Sequence, residues 1–151
     1  MSDNIIEHIT NETDKQNVIV NVVENDQTNI DSFIKDVDYN YCDIIHISKP
    51  VEWNCIINNL SDYLILIKFT ASWCGPCKTI HPYFEELAKQ DNIICIEVDV
   101  DNAEEIVEVC EIKSVPSFHF IYEKKLLNES NSANKQNLIN TFQNCLTYIK
   151  K

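Results

Sequence analysis

Residues 63–78 read YLILIKFTASWCGPCK, and their character changes halfway along. The first eight are apolar almost without a break, the mark of a strand buried on both faces, with Lys68 as its one charge. A short polar turn leads to Cys74 and Cys77, two residues apart at what reads as the start of a helix. That spacing lets the two sulfurs meet across the first turn, so the pair can cycle between dithiol and disulfide. Cys74, at the N-terminal end, faces unpaired backbone N–H groups and the positive pole of the helix dipole, both of which favour the attacking thiolate. Cys77, one turn in, is expected to be less exposed and to resolve the mixed disulfide. Pro76 sits in the first turn, where a missing N–H costs nothing. Gly75 lets another chain approach the sulfur closely.

Outward from this stretch, strands and helices alternate. The pattern predicts a short strand at 43–48 and a helix from Pro50 to about Asn59, with Val51, Cys55 and Ile56 apolar. A second helix follows at about 74–90, with a kink at Pro82. Residues 92–98 (NIICIEV) read as another buried strand and 103–110 as a short helix. Residues 117–122 (SFHFIY) pair in hairpin fashion with 126–130. A last helix covers 135–149, with Leu138, Phe142, Leu146 and Ile149 on one stripe. Such an order specifies an α/β fold, a central mixed sheet flanked by helices on both faces.

Residues 1–42 differ in kind. They hold nine acids against Lys15 and Lys35, a net charge of −7 out of −12 for the whole chain, which marks an acidic N-terminal extension. Within it Val18, Ile19, Val20, Val22 and Val23 suit a strand. Ile30, Phe33, Ile34 and Val37 share one face of a short helix expected at about 29–38, which would dock on the main domain or bind a partner.

The chain has 151 residues, enough for one domain with a core and a tail. Its 24 acidic and 12 basic residues, with no lysine cluster larger than a pair such as Lys124 and Lys125, would be repelled by phosphate backbones and anionic lipid. Neither nucleic acid nor a membrane is an expected partner. The longest apolar stretch, 63–67, is too short to cross a bilayer, and the first residues show no basic segment followed by an apolar one. A cytoplasmic protein is expected. Gly75 is the single glycine, where average usage predicts about ten, so no glycine-rich phosphate loop exists. AT-rich coding accounts for the missing Arg and the abundant Asn, Ile and Lys. Of seven cysteines, only Cys74 and Cys77 have metal or redox spacing, and His8, His46, His81 and His119 are scattered singly. No metal site is expected, nor a disulfide-stapled secreted scaffold.

WCGPCK after an apolar strand, Pro82 five residues past the second cysteine, the run Ile96-Glu97-Val98-Asp99-Val100-Asp101, and Ser114-Val115-Pro116-Ser117-Phe118 together resemble the thioredoxin family, in detail its eukaryotic cytosolic type. The resemblance runs from about residue 43 to 151, which is then the thioredoxin domain. It implies a four-stranded mixed sheet with flanking helices, a cis Val115–Pro116 bond facing the cysteines, and disulfide reductase activity. By position, Cys74 would be the nucleophile and Cys77 the resolving thiol. Trp73, Gly75 and Pro76 would form a flat surface around them, and Val115 with Pro116 would offer backbone contacts to an extended substrate. No cofactor would be bound. The Cys74–Cys77 disulfide would be recharged by an external NADPH-dependent reductase, thioredoxin reductase, so that the protein carries electrons to disulfide-containing proteins in cell redox homeostasis. A monomer is expected, a dimer being conceivable through Cys110. Pro76, where oxidising and isomerising relatives carry His, resembles the reducing members. Two other readings stay open: a redox-switched interaction module on the same fold, and a disulfide isomerase.

Three positions depart from the family pattern. Lys68 stands where a buried Asp, six residues before the nucleophile, helps move the proton of the second cysteine. A buried lysine could be neutral and accept that proton, could favour a thiolate if charged, or could reach solvent past the strand end. Ser132 replaces a loop glycine beside the site, where it would crowd the substrate or offer it a hydroxyl. Lys124 and Asn128 replace two hairpin glycines, Lys tolerating positive φ less well than Asn. Cys95 and Cys145 read as core residues, Cys42 and Cys55 have no assigned role, Trp53 reads as core, and Asp99, Asp101, Glu104 and Glu105 read as a solvated rim.

Overall fold

The computed structural model describes residues 44–149; the expectations for residues 1–42, the acidic segment's strand and helix and Cys42 among them, lie outside the described residues. Among the described residues nine elements follow one another: β1 (Ile45–Ile47), α1 (Pro50–Asn59), β2 (Leu64–Thr70), α2 (Gly75–Ala88), β3 (Ile93–Asp99), α3 (Glu104–Val109), β4 (Ser117–Tyr122), β5 (Lys125–Ser130) and α4 (Lys135–Ile149). Each falls within about two residues of its sequence expectation. Helix α1 begins with Pro50 in its first turn, and the Glu52 carboxylate accepts hydrogen bonds from the backbone N–H of Ser48 (3.2 Å) and Lys49 (2.9 Å), which satisfies donors that a helix start leaves open. Helix α2 continues through Pro82.

The strands form one sheet in the order β1-β3-β2-β4-β5, parallel between β1, β3 and β2 and antiparallel between β2, β4 and β5. Five strands stand where the resemblance implied four, because the short β1 adds to the outer edge of β3. Side chains alternate across a strand, and that alternation divides the core. Ile65, Ile67 and Phe69 of β2 and Ile94, Ile96 and Val98 of β3 pack with Trp53 and Ile56 of α1 and Ile106 of α3. Leu64 and Leu66 of β2 and Ile93 and Cys95 of β3 pack on the other face with Phe84 of α2 and Phe142 of α4. The next even position of β2 is Lys68 and the next odd position of β3 is Glu97, and the two are register partners. Alternation therefore turns both charges toward α2, the helix that opens at the cysteines.

The β4–β5 turn corrects one expectation. Positive φ falls on Glu123 (50°) and Lys124 (63°), the two central residues of the turn, not on Asn128, which lies within β5. Two-residue hairpin loops favour positive φ at both central positions, so Glu123 shares the backbone cost expected of Lys124. Among the described residues, no helix is long and apolar enough to cross a membrane.

Candidate active site

Cys74 is the N-cap of α2, with extended backbone (φ −89°, ψ 106°), and its Sγ accepts the backbone N–H of Cys77 at 3.2 Å. An N-cap acceptor normally comes from Ser, Thr, Asp or Asn; here a sulfur takes that place, at the end of the helix that favours negative charge. The two cysteines are joined as a disulfide, with Cα atoms 5.4 Å apart. Both are buried, Cys74 4% exposed and Cys77 1%.

Around the disulfide the surface is uneven in chemistry. Trp73 is 69% exposed, and its indole N–H donates to Asp101 Oδ2 at 2.9 Å. Gly75 and Pro76 are exposed. A Cβ added at Gly75 would meet nothing within 4 Å, so the fold itself does not require this glycine. Val115 packs against Ala71, Cys74 and Cys77, and its bond to the buried Pro116 is cis. Ser132 has a local duty that sequence reasoning did not foresee: its hydroxyl accepts from Asn134 N–H at 3.0 Å in the loop before α4. Asp101, read as part of a solvated rim, holds the Trp73 indole. Asp99 accepts from Asp101 N–H at 3.0 Å and from the Asn102 amide at 3.2 Å, which shapes the loop that presents Asp101.

Lys68 is 2% exposed, so it does not reach past the strand end. Its Nζ donates to the carbonyl oxygen of Cys77 at 3.0 Å and lies 3.0 Å from His81 Nδ1 and 3.6 Å from Glu97 Oε2. Burial pushes its ammonium below the ordinary 10.5, a fall that the nearby Glu97 carboxylate partly offsets. Glu97 also faces His81 Nδ1 at 3.3 Å and His46 Nδ1 at 3.7 Å, and His81 Nε2 meets Glu85 Oε1 at 2.9 Å. A cleft of about 700 Å³ reaches from Cys77 and Lys68 past His81 and Glu97 to His46. In the sequence these histidines stand singly. The signals that join them were present: His81 stands one helical turn after Cys77 and one before Glu85, and Glu97 pairs in register with Lys68. Among the described residues, no group of three side chains is placed to hold a metal ion.

The other described cysteines lie apart. Cys55, Cys95, Cys110 and Cys145 are all buried. Burial raises the Cys95 thiol far above its ordinary value and the Cys145 thiol to about 11. Cys110 packs in the core beneath α3, so the residue through which a dimer was conceivable presents no exposed thiol in this structure.

A family model described as Thioredoxin matches residues 44–144. The thioredoxin of Ictalurus punctatus is 38% identical over 98 residues, 63% of this chain and 92% of its own length. That of Homo sapiens is 42% identical over 78 residues, 51% of this chain and 74% of its own. The crystal structure of thioredoxin from Trypanosoma brucei brucei superposes with a TM-score of 0.65 at 30% identity, covering 71% of this chain and 94% of that one.

Proposed function

The chain belongs to the thioredoxin family and is a thiol–disulfide oxidoreductase of that type, and from this we propose that it works as a protein-disulfide reductase and electron carrier. Cys74, as thiolate, attacks a substrate disulfide and holds one half as a mixed disulfide. Cys77 then attacks Cys74 Sγ, the second substrate sulfur leaves as a thiolate, and the Cys74–Cys77 disulfide remains. The observation that carries this reading is Cys74 Sγ as cap of a 14-residue helix, held by the Cys77 N–H. A hydrogen bond to an anionic acceptor is roughly twice as strong as a neutral one, so the same contact favours Cys74 as both attacking and leaving thiolate. Trp73, Gly75 and Pro76 form the docking surface, Val115 and Pro116 present backbone to an extended substrate, and Ser132 borders it.

Lys68 handles the proton of Cys77. Desolvation makes its neutral amine accessible nearer to neutral pH, and its Nζ is anchored on the Cys77 carbonyl. Lys68→Asp is expected to shift the thiolate titration and the pH–rate profile of exchange; unchanged curves would remove Lys68 from the mechanism.

The oxidised pair is recharged by an NADPH-dependent thioredoxin reductase, the substrates are disulfide-containing proteins, and the place of action is the cytoplasm. Residues 43–151 form the catalytic domain, which acts as a monomer, and residues 1–42 an acidic extension to it. The excess of acids disfavours nucleic acid and anionic membrane as partners. Insulin-disulfide reduction tests the reading, with dithiothreitol and then thioredoxin reductase with NADPH as electron source. Wild type is expected to be active with both and Cys74→Ser inactive with both. Activity retained by Cys74→Ser would overturn the catalytic reading.

A further inference from the structure

We propose that His81 carries protons between the buried Lys68 and the surface, and thereby sets the rate at which Cys77 resolves the mixed disulfide. The inference rests on the assignment of Cys77 as resolving thiol and adds a residue that acts through Lys68 without touching the reacting sulfurs. Three side chains descend from solvent to the cysteines: Glu85 is 54% exposed, His81 33% and Lys68 2%. The imidazole sits between the other two, Nε2 at 2.9 Å from Glu85 Oε1 and Nδ1 at 3.0 Å from Lys68 Nζ. Among the described residues, this is the route from Lys68 toward solvent with contacts of 3.0 Å or less at both ends. The alternative through Glu97 to His46 is longer at each step, 3.6 Å from Lys68 and 3.7 Å from Glu97 to His46, and the further contact of Glu97 Oε2, 3.3 Å from His81 Nδ1, leads back to the same imidazole.

A neutral imidazole can accept at one nitrogen while it releases at the other. With Lys68 as ammonium, an Nζ–H donates to Nδ1, and the ring hydrogen on Nε2 donates to Glu85. During resolution the Lys68 ammonium gives a proton to Nδ1 as the Nε2 proton passes to Glu85 and on to water, and the neutral amine so formed takes the Sγ–H proton of Cys77. The Cys77 thiolate makes the bond to Cys74 Sγ, and the bond from Cys74 to the substrate sulfur breaks with its electron pair on that sulfur. Lys68 ends as the ammonium again. One proton leaves the protein, and no redox partner beyond the sulfurs is needed. The cleft joins Cys77, Lys68 and His81, and the Lys68 anchor on the Cys77 carbonyl keeps the amine beside that residue. Lowered basicity of Lys68 eases the loss of its proton to the relay. The groups that face His81 are Lys68 from β2, Glu97 from β3 and Glu85 from its own helix, with His46 of β1 beyond Glu97.

The test is stopped-flow reaction of the reduced full-length protein with 5,5′-dithiobis(2-nitrobenzoate), which releases one coloured thiolate on attack and a second on resolution. In His81→Ala the first release is expected to stay within about twofold of wild type and the second to slow about tenfold at pH 7, a fraction of what direct acid–base catalysis supplies. The deficit should shrink toward pH 9, where hydroxide removes the proton, and added imidazole should restore the second release by entering the vacated space. Glu85→Gln, which still accepts from Nε2–H but cannot take its proton, should slow the same phase without loss of fold. Equal slowing of both phases, a normal second phase, or a deficit that neither imidazole nor pH relieves would overturn the proposal. Cys77→Ser separates the two claims: a second release that persists without Cys77 refutes its resolving role, whereas one that disappears while the His81 and Glu85 variants behave as wild type refutes only the relay.

Discussion

Replacing Glu97 with Gln removes the carboxylate nearest to the buried Lys68 ammonium among the described residues, 3.6 Å away. Two unit charges at that separation attract by about 4.6 kcal/mol at an effective dielectric of 20. A second bound does not depend on the dielectric. Once support falls short the lysine gives up its proton, and holding it neutral at pH 7 against its ordinary 10.5 costs about 4.8 kcal/mol. The Glu97 side chain is 17% exposed, so solvent screens part of the attraction, and the expected loss of stability at pH 7 is about 2–3 kcal/mol. The sign with pH follows from proton binding. Burial lowers Lys68 in the folded chain, so between that lowered value and 10.5 the unfolded chain binds more protons and stability rises with pH. Without Glu97 the window extends to lower pH, the variant gains more on the way up, and by pH 10 the deficit should fall below about 1 kcal/mol. Urea denaturation of the oxidised proteins at pH 7 and pH 10, followed by tryptophan fluorescence, measures both values. An equal deficit at the two pH values would refute a charged, Glu97-supported Lys68.

Gly75→Ala should leave stability unchanged or raise it by up to about 1 kcal/mol, because the added Cβ enters open space, yet impair insulin reduction more than Ser132→Gly does; the reverse order of activities would show that close approach at Gly75 is not needed. Lys124→Gly should raise the unfolding free energy measured in urea by about 1 kcal/mol, since a side chain is removed from positive φ, and no gain would mean that the turn bears no such cost. Asp101→Ala should free the Trp73 indole, changing its fluorescence and raising KM for protein disulfides with little effect on core stability; an unchanged KM would leave the contact without a part in docking.

The order of elements and the cysteine site were legible because both rest on short-range patterns. Apolar runs fix strands, Pro50 and the cysteine turn fix helix starts, and cysteines two residues apart meet without help from the rest of the fold. What stayed hidden depends on register. The pairing of Lys68 with Glu97 follows only once β2 is set beside β3, and His81 becomes their neighbour only when α2 is laid on that face of the sheet. The same holds for the Trp73 contact with Asp101, 28 residues apart. The turn has a local explanation: the two-residue loop between the paired Tyr122 and Lys125 puts positive φ on Glu123 as well as on the expected Lys124, whereas Asn128 falls inside β5 beside the register shift between Phe120 and Ile121.

The most direct measurement of the central claim, that Cys74 and Cys77 form a reducing dithiol, is their equilibrium potential against a glutathione or dithiothreitol couple at pH 7. A protein that hands electrons to disulfides, with Pro76 between its cysteines, should equilibrate near about −270 mV. A value near about −180 mV, the range of an isomerase, would contradict the account.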